Sequence, residues 1–593
     1  MNDSSASVSA SAGTHTVDGP PEERVRKLLG LFGAPDACAA ELLCDRHPTD
    51  AVAFTVVEKD LTATDLTYGD LRRDSARFAA ALADLGVGPG DAVATLMAKS
   101  ADLVVALLGI WRRGAVHVPL FTAFAPSAIA LRLGASAAKA VVVDVDQLGK
   151  LAPGEDMPAD RPWVTVVAGG APEGTEPSFG ELLSRYSGDE PEGRPVATGA
   201  DAPLVLLFTS GTTGAPKGVP VPVRALASFQ AYLEFGLDVR EDDVFWNAAD
   251  PGWAYGLYYA ILGPLAAGRR SLLLHAGFDP ALTWQVMKAF GVTNFAAAPT
   301  VYRSLLAAPG PVPGGVRLRR ASSAGEPLTP EVVAWSEQAL GVAVRDHYGQ
   351  TEHGMVVAAA WADAVQTPVP PGSMGRPLPG WSAEVLYEER DEPAPPGTLG
   401  RVALSVPDSP LLWFTGYAGA PEKTAERFTA DGRWYLTGDA GLRDENGSFF
   451  FSSRDDDVII MAGYRIGPFD VESVLVQHEL VLEAAVIGVP DTLRGEVLEA
   501  FVVLRPGTPA DDALVVELQQ LVKRKFAAHA YPRAVHFTDR LPKTPSGKTQ
   551  RFLLRRERAR TTDRTPANET PADRTSTAPT ASTASTASTR ETN

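Results

Sequence analysis

A chain of 593 residues, 45% hydrophobic and 21% charged, is too long for one hydrophobic core, so two or three domains are expected. Its net charge of -18 argues against nucleic acid or an anionic membrane as the main partner, and any anionic substrate has to be met by locally placed cations. No apolar run approaches the roughly 18 residues needed to cross a bilayer; the best, 103–111, is closed by Arg112 and Arg113, and a cytoplasmic protein is expected.

In chain order, residues 1–20 read as a disordered leader, rich in Ser and Ala and without a basic start or a secretory apolar core. A helical pattern begins at about residue 21. Cys38 and Cys44 match no common metal spacing and read as buried or bystander thiols. Strands at 52–58 and 66–68 precede a helix at 68–85; then come a strand at 91–97, an apolar helix at 100–113, and strands at 115–120 and 139–145. This alternation predicts open α/β winding. It resumes with a strand at 271–274, a helix at 280–290 and a strand at 294–297.

After Gly372 the composition turns to Gly, Pro and short β-like runs at 383–387 and 400–404, predicting a small β-barrel-like subdomain over about 372–454. The charged knot 453–457 marks a boundary, and a compact αβ pattern with a helix at 470–478 follows to about residue 556. The expected architecture is therefore a large N-terminal domain of layered α/β sheets (21–454), a boundary at 455–457 and a small α+β C-terminal domain (458–556). Residues 561–593 repeat Thr, Ala and Ser with Pro and read as a disordered tail.

Chemistry concentrates first in L-F-T-S-G-T-T-G-A-P-K-G at 207–218, where an apolar strand at 205–208 runs into hydroxyls and glycines. Gly211 and Gly214 let backbone N–H groups turn inward, Thr209, Ser210, Thr212 and Thr213 add O–H donors, and Lys217 adds a charge, so a nucleotide polyphosphate fits this nest. It is not a Walker A loop, since Pro216 stands where that motif would open a helix. A second polar turn, Tyr348-Gly349-Gln350-Thr351-Glu352, follows a probable strand at 342–344; Thr351 offers a donor to phosphate and Glu352 a hard oxygen ligand for Mg²⁺. In Tyr435-Leu436-Thr437-Gly438-Asp439, the Asp439 carboxylate suits two ribose hydroxyls, with Arg454 closing over the sugar.

These segments resemble the motifs of the adenylate-forming (AMP-binding) superfamily of acyl-CoA synthetases, luciferases and peptide-synthetase adenylation domains, over nearly everything from Leu66 to Arg556. The resemblance implies that residues Asp346, His347, Tyr348, Gly349, Gln350 and Thr351 line adenine and the α-phosphate beside Gly325, Glu326 and Pro327. Ser453 stands where the family usually has glycine before Arg454. Leu541-Pro542-Lys543-Thr544-Pro545-Ser546-Gly547-Lys548 is similar to the motif whose last lysine, here Lys548, reaches the α-phosphate and the attacking carboxylate and is an acylation target of acyltransferases and deacylases in many relatives. Lys217, Thr351 and Lys548 are the implied catalytic set. The family rotates its small domain about the position of Asp456, presenting CoA contacts that here fall on Gly463, Tyr464, Arg494, Tyr531, Pro532 and Arg533.

Within the superfamily, Ala249-Asp250-Pro251-Gly252-Trp253 and the run from Gly463 to Glu472 are similar to acetyl- and medium-chain acyl-CoA synthetases. Trp253, Gly349, Thr351 and Arg465 then face the acid. Acetyl-specific enzymes place a tryptophan where this chain has Gly349, so acids longer than acetate are expected, with ATP, Mg²⁺ and CoA as cofactors. The alternatives are a free-standing module that loads a carrier protein and an inactive binding protein; no carrier-like segment follows Arg556, and the nucleotide motif residues are all present.

Overall fold

The computed structural model describes residues 19–170, 176–209, 216–454, 457–461, 464–491, 494–527, 530–544 and 548–562, with the backbone alone at 464–465 and 561–562. The expected leader up to residue 18 and the tail beyond 562 lie outside these residues.

Helix starts follow local chemistry. Thr67 closes a capping box with Asp70 ahead of the helix Tyr68–Asp84, which is why the expected strand at 66–68 is instead Ala63–Thr67. Ser100 caps Ala101–Arg112, and Asp279 caps Pro280–Phe290 with proline at the first helical position. The helix Ala101–Arg112 is apolar all round because its residues from Leu103 onward are buried. Gly109 lets it approach Tyr68–Asp84: a Cβ there would lie 2.7 Å from the Phe78 ring. Its last residue, Arg112, is 2% exposed and is satisfied by a two-pronged bond to Asp45 and by Ser75. Cys38 and Cys44 are buried free thiols.

Two large sheets build the body. One has six strands in the spatial order Val164–Ala168, Ala140–Asp144, Ala92–Leu96, Val116–Pro119, Pro203–Thr209 and Lys217–Pro222, parallel except for the last pair. The other has nine, parallel at its centre through Val52–Glu58, Ser271–His275, Phe245–Asn247, Asn294–Ala297, Arg320–Ala324 and Arg345–Gln350, with antiparallel strands at both edges. Lys99, after Ala92–Leu96, donates to the Ala248 carbonyl after Phe245–Asn247 at 3.3 Å, tying the carboxyl ends of the two sheets together. Ligands of α/β sheets bind at such ends.

The strand expected at 342–344 lies later, at Arg345–Gln350. Gly341, at φ 71, ends the preceding helix, and the Val344 N–H is taken by the Ser336 hydroxyl, so 342–344 serves as connector. The segment 372–454 carries an open four-stranded antiparallel sheet, Ala383–Leu386, Gly400–Ser405, Trp434–Arg443 and Phe449–Arg454, rather than a closed barrel. Beyond it, a five-stranded sheet with the helices Pro468–Leu475 and Asp512–Lys525 encloses its own core around Val471, Leu498, Val502 and Leu518. Pro468 fixes the first turn of the helix expected at 470–478, which ends at Leu475. The last helix, Arg551–Thr562, extends past the expected domain end.

Candidate active site

The strands that flank the phosphate-loop candidate are an antiparallel pair. Thr209 ends one strand and pairs with Lys217, which begins the next. Ser210, Gly211, Thr212, Thr213 and Gly214 lie outside the described residues. The Lys217 ammonium stands 4.9 Å from the centre of the Tyr417 ring. Desolvation and then the nearby Arg427 lower its pKa, while Glu352 opposes them.

Tyr348 and Gln350 lie on the strand Arg345–Gln350, and both point their donors at Asp439. The Tyr348 hydroxyl donates to Oδ2 at 2.5 Å and the Gln350 amide to the same oxygen at 2.6 Å. The amide's second N–H reaches the Thr437 carbonyl, and its oxygen accepts from Tyr435, so its orientation is determined. Asp439 is buried and directly opposite Arg454 in the ladder, with Arg454 Nε 3.4 Å from Oδ1. Oδ1 thus takes neither of those two bonds and faces Arg454.

The turn after that strand presents Thr351, whose carbonyl accepts from Tyr258, and Glu352, 7% exposed. Glu352 Oε1 accepts from the Tyr417 hydroxyl at 2.8 Å. Magnesium takes one or two protein carboxylates together with phosphate oxygens, and a carboxylate oriented through one oxygen suits that role. Gly349 is locked: a Cβ there would lie 2.2 Å from the Gly354 carbonyl oxygen across the hairpin. The His347 ring is turned into a tyrosine cluster, 2.7 Å from the Tyr232 hydroxyl, and burial pushes its pKa down to about 3. Asp346, by contrast, is pushed up to about 8 by desolvation.

Gly325, at φ +96, leads to Glu326, whose carboxylate accepts from Thr300 at 2.7 Å and Arg303 at 2.8 Å. Lys548 enters this neighbourhood from the other domain. Its residue is exposed overall, yet desolvation lowers the ammonium's pKa, opposed first by Glu326 and then by Asp439 and Glu352, with Arg454 adding to the lowering. The lysine's loop is closed by mutual hydrogen bonds with Thr544 and a bridge between Lys543 and Thr549. Pro330–Leu340 and the segment after Gly495–Leu504 meet in an Arg505–Glu331 ion pair of 3.2 Å.

The CoA-side candidates form a separate cationic surface. Lys523 and Arg533 each stand 3.9 Å from the centre of the Tyr531 ring, Arg494 lies close enough to lower the Arg533 pKa after desolvation, and the Pro532 carbonyl accepts from Gln519. Gly463 and Asp456 lie outside the described residues, as do the side chains of Tyr464 and Arg465. Trp253 packs against Phe121 at 5.3 Å and Phe124 at 5.6 Å, beside the six-stranded sheet.

The profile of the AMP-binding enzyme family matches residues 41–417, and that of the AMP-binding enzyme C-terminal domain matches 470–548. The chain belongs to the AMP-binding enzyme family. This AMP-binding enzyme is 35% identical over 501 residues to the acetyl-coenzyme A synthetase of Bacillus subtilis, covering 82% of the chain and 84% of that protein. It is 36% identical over 483 residues to the mitochondrial acyl-coenzyme A synthetase ACSM3 of Mus musculus, covering 79% and 80%. Among solved structures it is similar to an acyl-CoA synthetase of Brucella canis, with a TM-score of 0.69 and 43% identity over 91% of this chain and 98% of that one. A benzoate CoA ligase from Burkholderia xenovorans gives 0.75 and 30% over 88% and 100%.

Several residues of this AMP-binding enzyme's site were not singled out from sequence. Tyr417, Arg427 and Tyr258 all touch the motif residues, yet each stands outside the glycine- and hydroxyl-rich runs that mark the motifs. The only local signal was Gly416-Tyr417 and Arg427 lying between two recognised motifs in a polar stretch.

Proposed function

We propose that this enzyme activates a carboxylic acid longer than acetate, in the short- to medium-chain range, and hands it to CoA. The reaction is that of an AMP-forming acyl-CoA synthetase: ATP and a carboxylic acid give an acyl-adenylate and pyrophosphate, and CoA then takes the acyl group and leaves AMP. ATP, Mg²⁺ and CoA are its cofactors.

What supports the assignment of residues is that Lys548 lies within electrostatic reach of Glu326, Asp439, Arg454 and Glu352, all from the larger domain. Two anions, the acid's carboxylate and the α-phosphate, must approach each other in the first step, and a desolvated lysine offsets that repulsion where water is excluded. In this reading Asp439 and Arg454 hold the ribose, Thr209 to Lys217 grip the departing phosphates, Glu352 holds Mg²⁺, and Thr351 meets the α-phosphate. When bound, Mg²⁺ neutralises charge on the phosphate oxygens. For the second step the domain beyond Arg454 turns about Asp456, withdrawing Lys548 and offering Tyr531, Arg533 and Arg494 to CoA phosphates.

The support for an acid longer than acetate is that glycine, and not the tryptophan expected of acetyl-specific enzymes, stands at position 349, with Trp253, Phe121 and Phe124 packed together as the candidate aromatic wall. Once turned away from the larger domain, Lys548 is also open to reversible acylation, which would remove its charge. A cytoplasmic location, where ATP and CoA are supplied, belongs to the same proposal. The test is a panel from acetate to octanoate with benzoate, scored by pyrophosphate release and by thioester formation with CoA and no added carrier. Preference for acetate would refute the chain-length reading; adenylate without thioester would favour carrier loading.

A further inference from the structure

Tyr417 joins three charged groups of the site through two of its surfaces. Its hydroxyl lies 2.8 Å from Glu352 Oε1 and 3.1 Å from Arg427 Nε, and its ring face carries the Lys217 ammonium at 4.9 Å. The proton directions are determined. A guanidinium only donates, so the phenol oxygen accepts from Arg427, and its single proton is left for the carboxylate. Arg427 is itself anchored, donating from Nη1 to the Thr437 carbonyl at 3.1 Å. It fits beside Gly438, at φ +71, where a Cβ would lie 2.6 Å from Arg427 Nη1 and 3.8 Å from Arg454 Nη2. Glycine at 438 thus lets two guanidiniums converge behind Asp439. Tyr417 is buried, so these bonds form away from bulk water, where they are stronger.

We propose that Arg427 and Tyr417 form a positioning pair for the first half-reaction, in which Arg427 orients the Tyr417 hydroxyl, the hydroxyl fixes one oxygen of Glu352, and the other oxygen is thereby aimed at a phosphate-bound divalent cation. Glu352 Oε2 takes no hydrogen bond among the described residues, as a metal-facing oxygen requires. The same phenol ring sets the lateral position of Lys217, so one side chain spaces the metal-side carboxylate from the loop cation. The pair touches neither substrate nor metal and acts only through Glu352 and Lys217. Partners that orient a ligating side chain typically change metal affinity or activity about 10–100-fold when removed.

The inference rests on Glu352 being the metal-side carboxylate. Its test is binding of a non-hydrolysable ATP analogue to the full-length protein, followed by calorimetry over a range of Mg²⁺ concentrations. Glu352→Gln comes first: if it leaves the Mg²⁺ dependence of analogue affinity unchanged, the role given to Glu352 fails. If it abolishes that dependence, Tyr417→Phe is expected to raise the Mg²⁺ concentration at half effect about tenfold or more, and Arg427→Gln to do the same. Arg427→Lys should recover part of the loss. Thioester formation from a supplied acyl-adenylate should stay at the parental rate in Tyr417→Phe, Arg427→Gln and Arg427→Lys, which also shows that they fold. A Mg²⁺ dependence within about twofold of the parent in both Tyr417→Phe and Arg427→Gln would overturn the pair's role while leaving that of Glu352 intact.

Discussion

The Arg505–Glu331 ion pair crosses from the small domain to the large one in the same arrangement that brings Lys548 to the nucleotide side. Turning the small domain must break it, so its removal should disfavour the first half-reaction. The two side chains are 40% and 36% exposed, which limits the pair to the range of surface ion pairs, about 0–1 kcal/mol. Arg505 is already held by a 2.8 Å bond from Nε to the Glu479 carbonyl, so little side-chain entropy is lost in making the pair and the upper half of that range applies. A loss approaching 1 kcal/mol shifts a two-state population about fivefold. Arg505→Ala is therefore expected to slow acid-dependent pyrophosphate exchange by about two- to fivefold at low salt, with thioester formation from supplied acyl-adenylate unchanged or faster. At about 0.5 M salt, where screening shortens to a few ångström, parent and variant should converge. The charge swap Arg505→Glu with Glu331→Arg should restore exchange. Equal rates for parent and Arg505→Ala at low salt, or a parallel fall of both half-reactions, would refute the reasoning.

Lys548→Ala should abolish adenylate formation while sparing thioester formation from a supplied acyl-adenylate; assaying the two half-reactions separately checks this, and equal loss of both would count against it. Gly349→Ala forces a Cβ against the Gly354 carbonyl, and overpacking of this kind costs about 1–3 kcal/mol; urea unfolding should show that loss, and Gly349→Trp should disrupt the hairpin instead of converting the enzyme to acetate. Asp346 has its native pKa raised to about 8 against about 3.9 unfolded. Between those values the native state binds more protons, so its contribution is full below about pH 4 and is lost as pH rises through about 8. Thermal unfolding of Asp346→Asn should accordingly lose less stability than the parent between about pH 5 and pH 8.5.

Much of the body was legible because period and punctuation agreed. The helix Pro280–Phe290 has an aspartate cap, a proline start and a glycine stop, and its bounds match the expectation residue for residue. The strand Arg345–Gln350 was misplaced because Val342 and Val344 look more strand-like than Arg-Asp-His-Tyr-Gly-Gln, whose polar side chains are absorbed by tertiary partners such as Tyr232 and Asp439. The barrel-like subdomain was legible as a set of short strands, but that its four-stranded sheet stays open was not, because closure depends on which edge strands pair and local composition carries no information on that. In the site, the motif residues could be named because glycines, hydroxyls and lysines cluster in sequence. Tyr417 and Arg427 could not, since their roles arise only when the strand at Lys217, the turn at Glu352 and the segment at 417–427 meet in space. Gly349 could be read as open pocket floor until the opposite strand was in place.

The ladder that pairs Asp439 with Arg454 ends at Arg454, and the next described residue, Asp457, is held by Arg551 and Arg555 of the last helix at 3.2 and 2.7 Å. One bank of the junction is thus clamped to the sheet that carries Asp439, and the other to the domain that carries Lys548. Only residues 455 and 456 lie between, and with two soft torsions per residue a reorientation has about four degrees of freedom available to it. If the small domain turns as proposed, so short a coupling leaves it few arrangements, and each would be felt at Asp439 through its ladder partner Arg454.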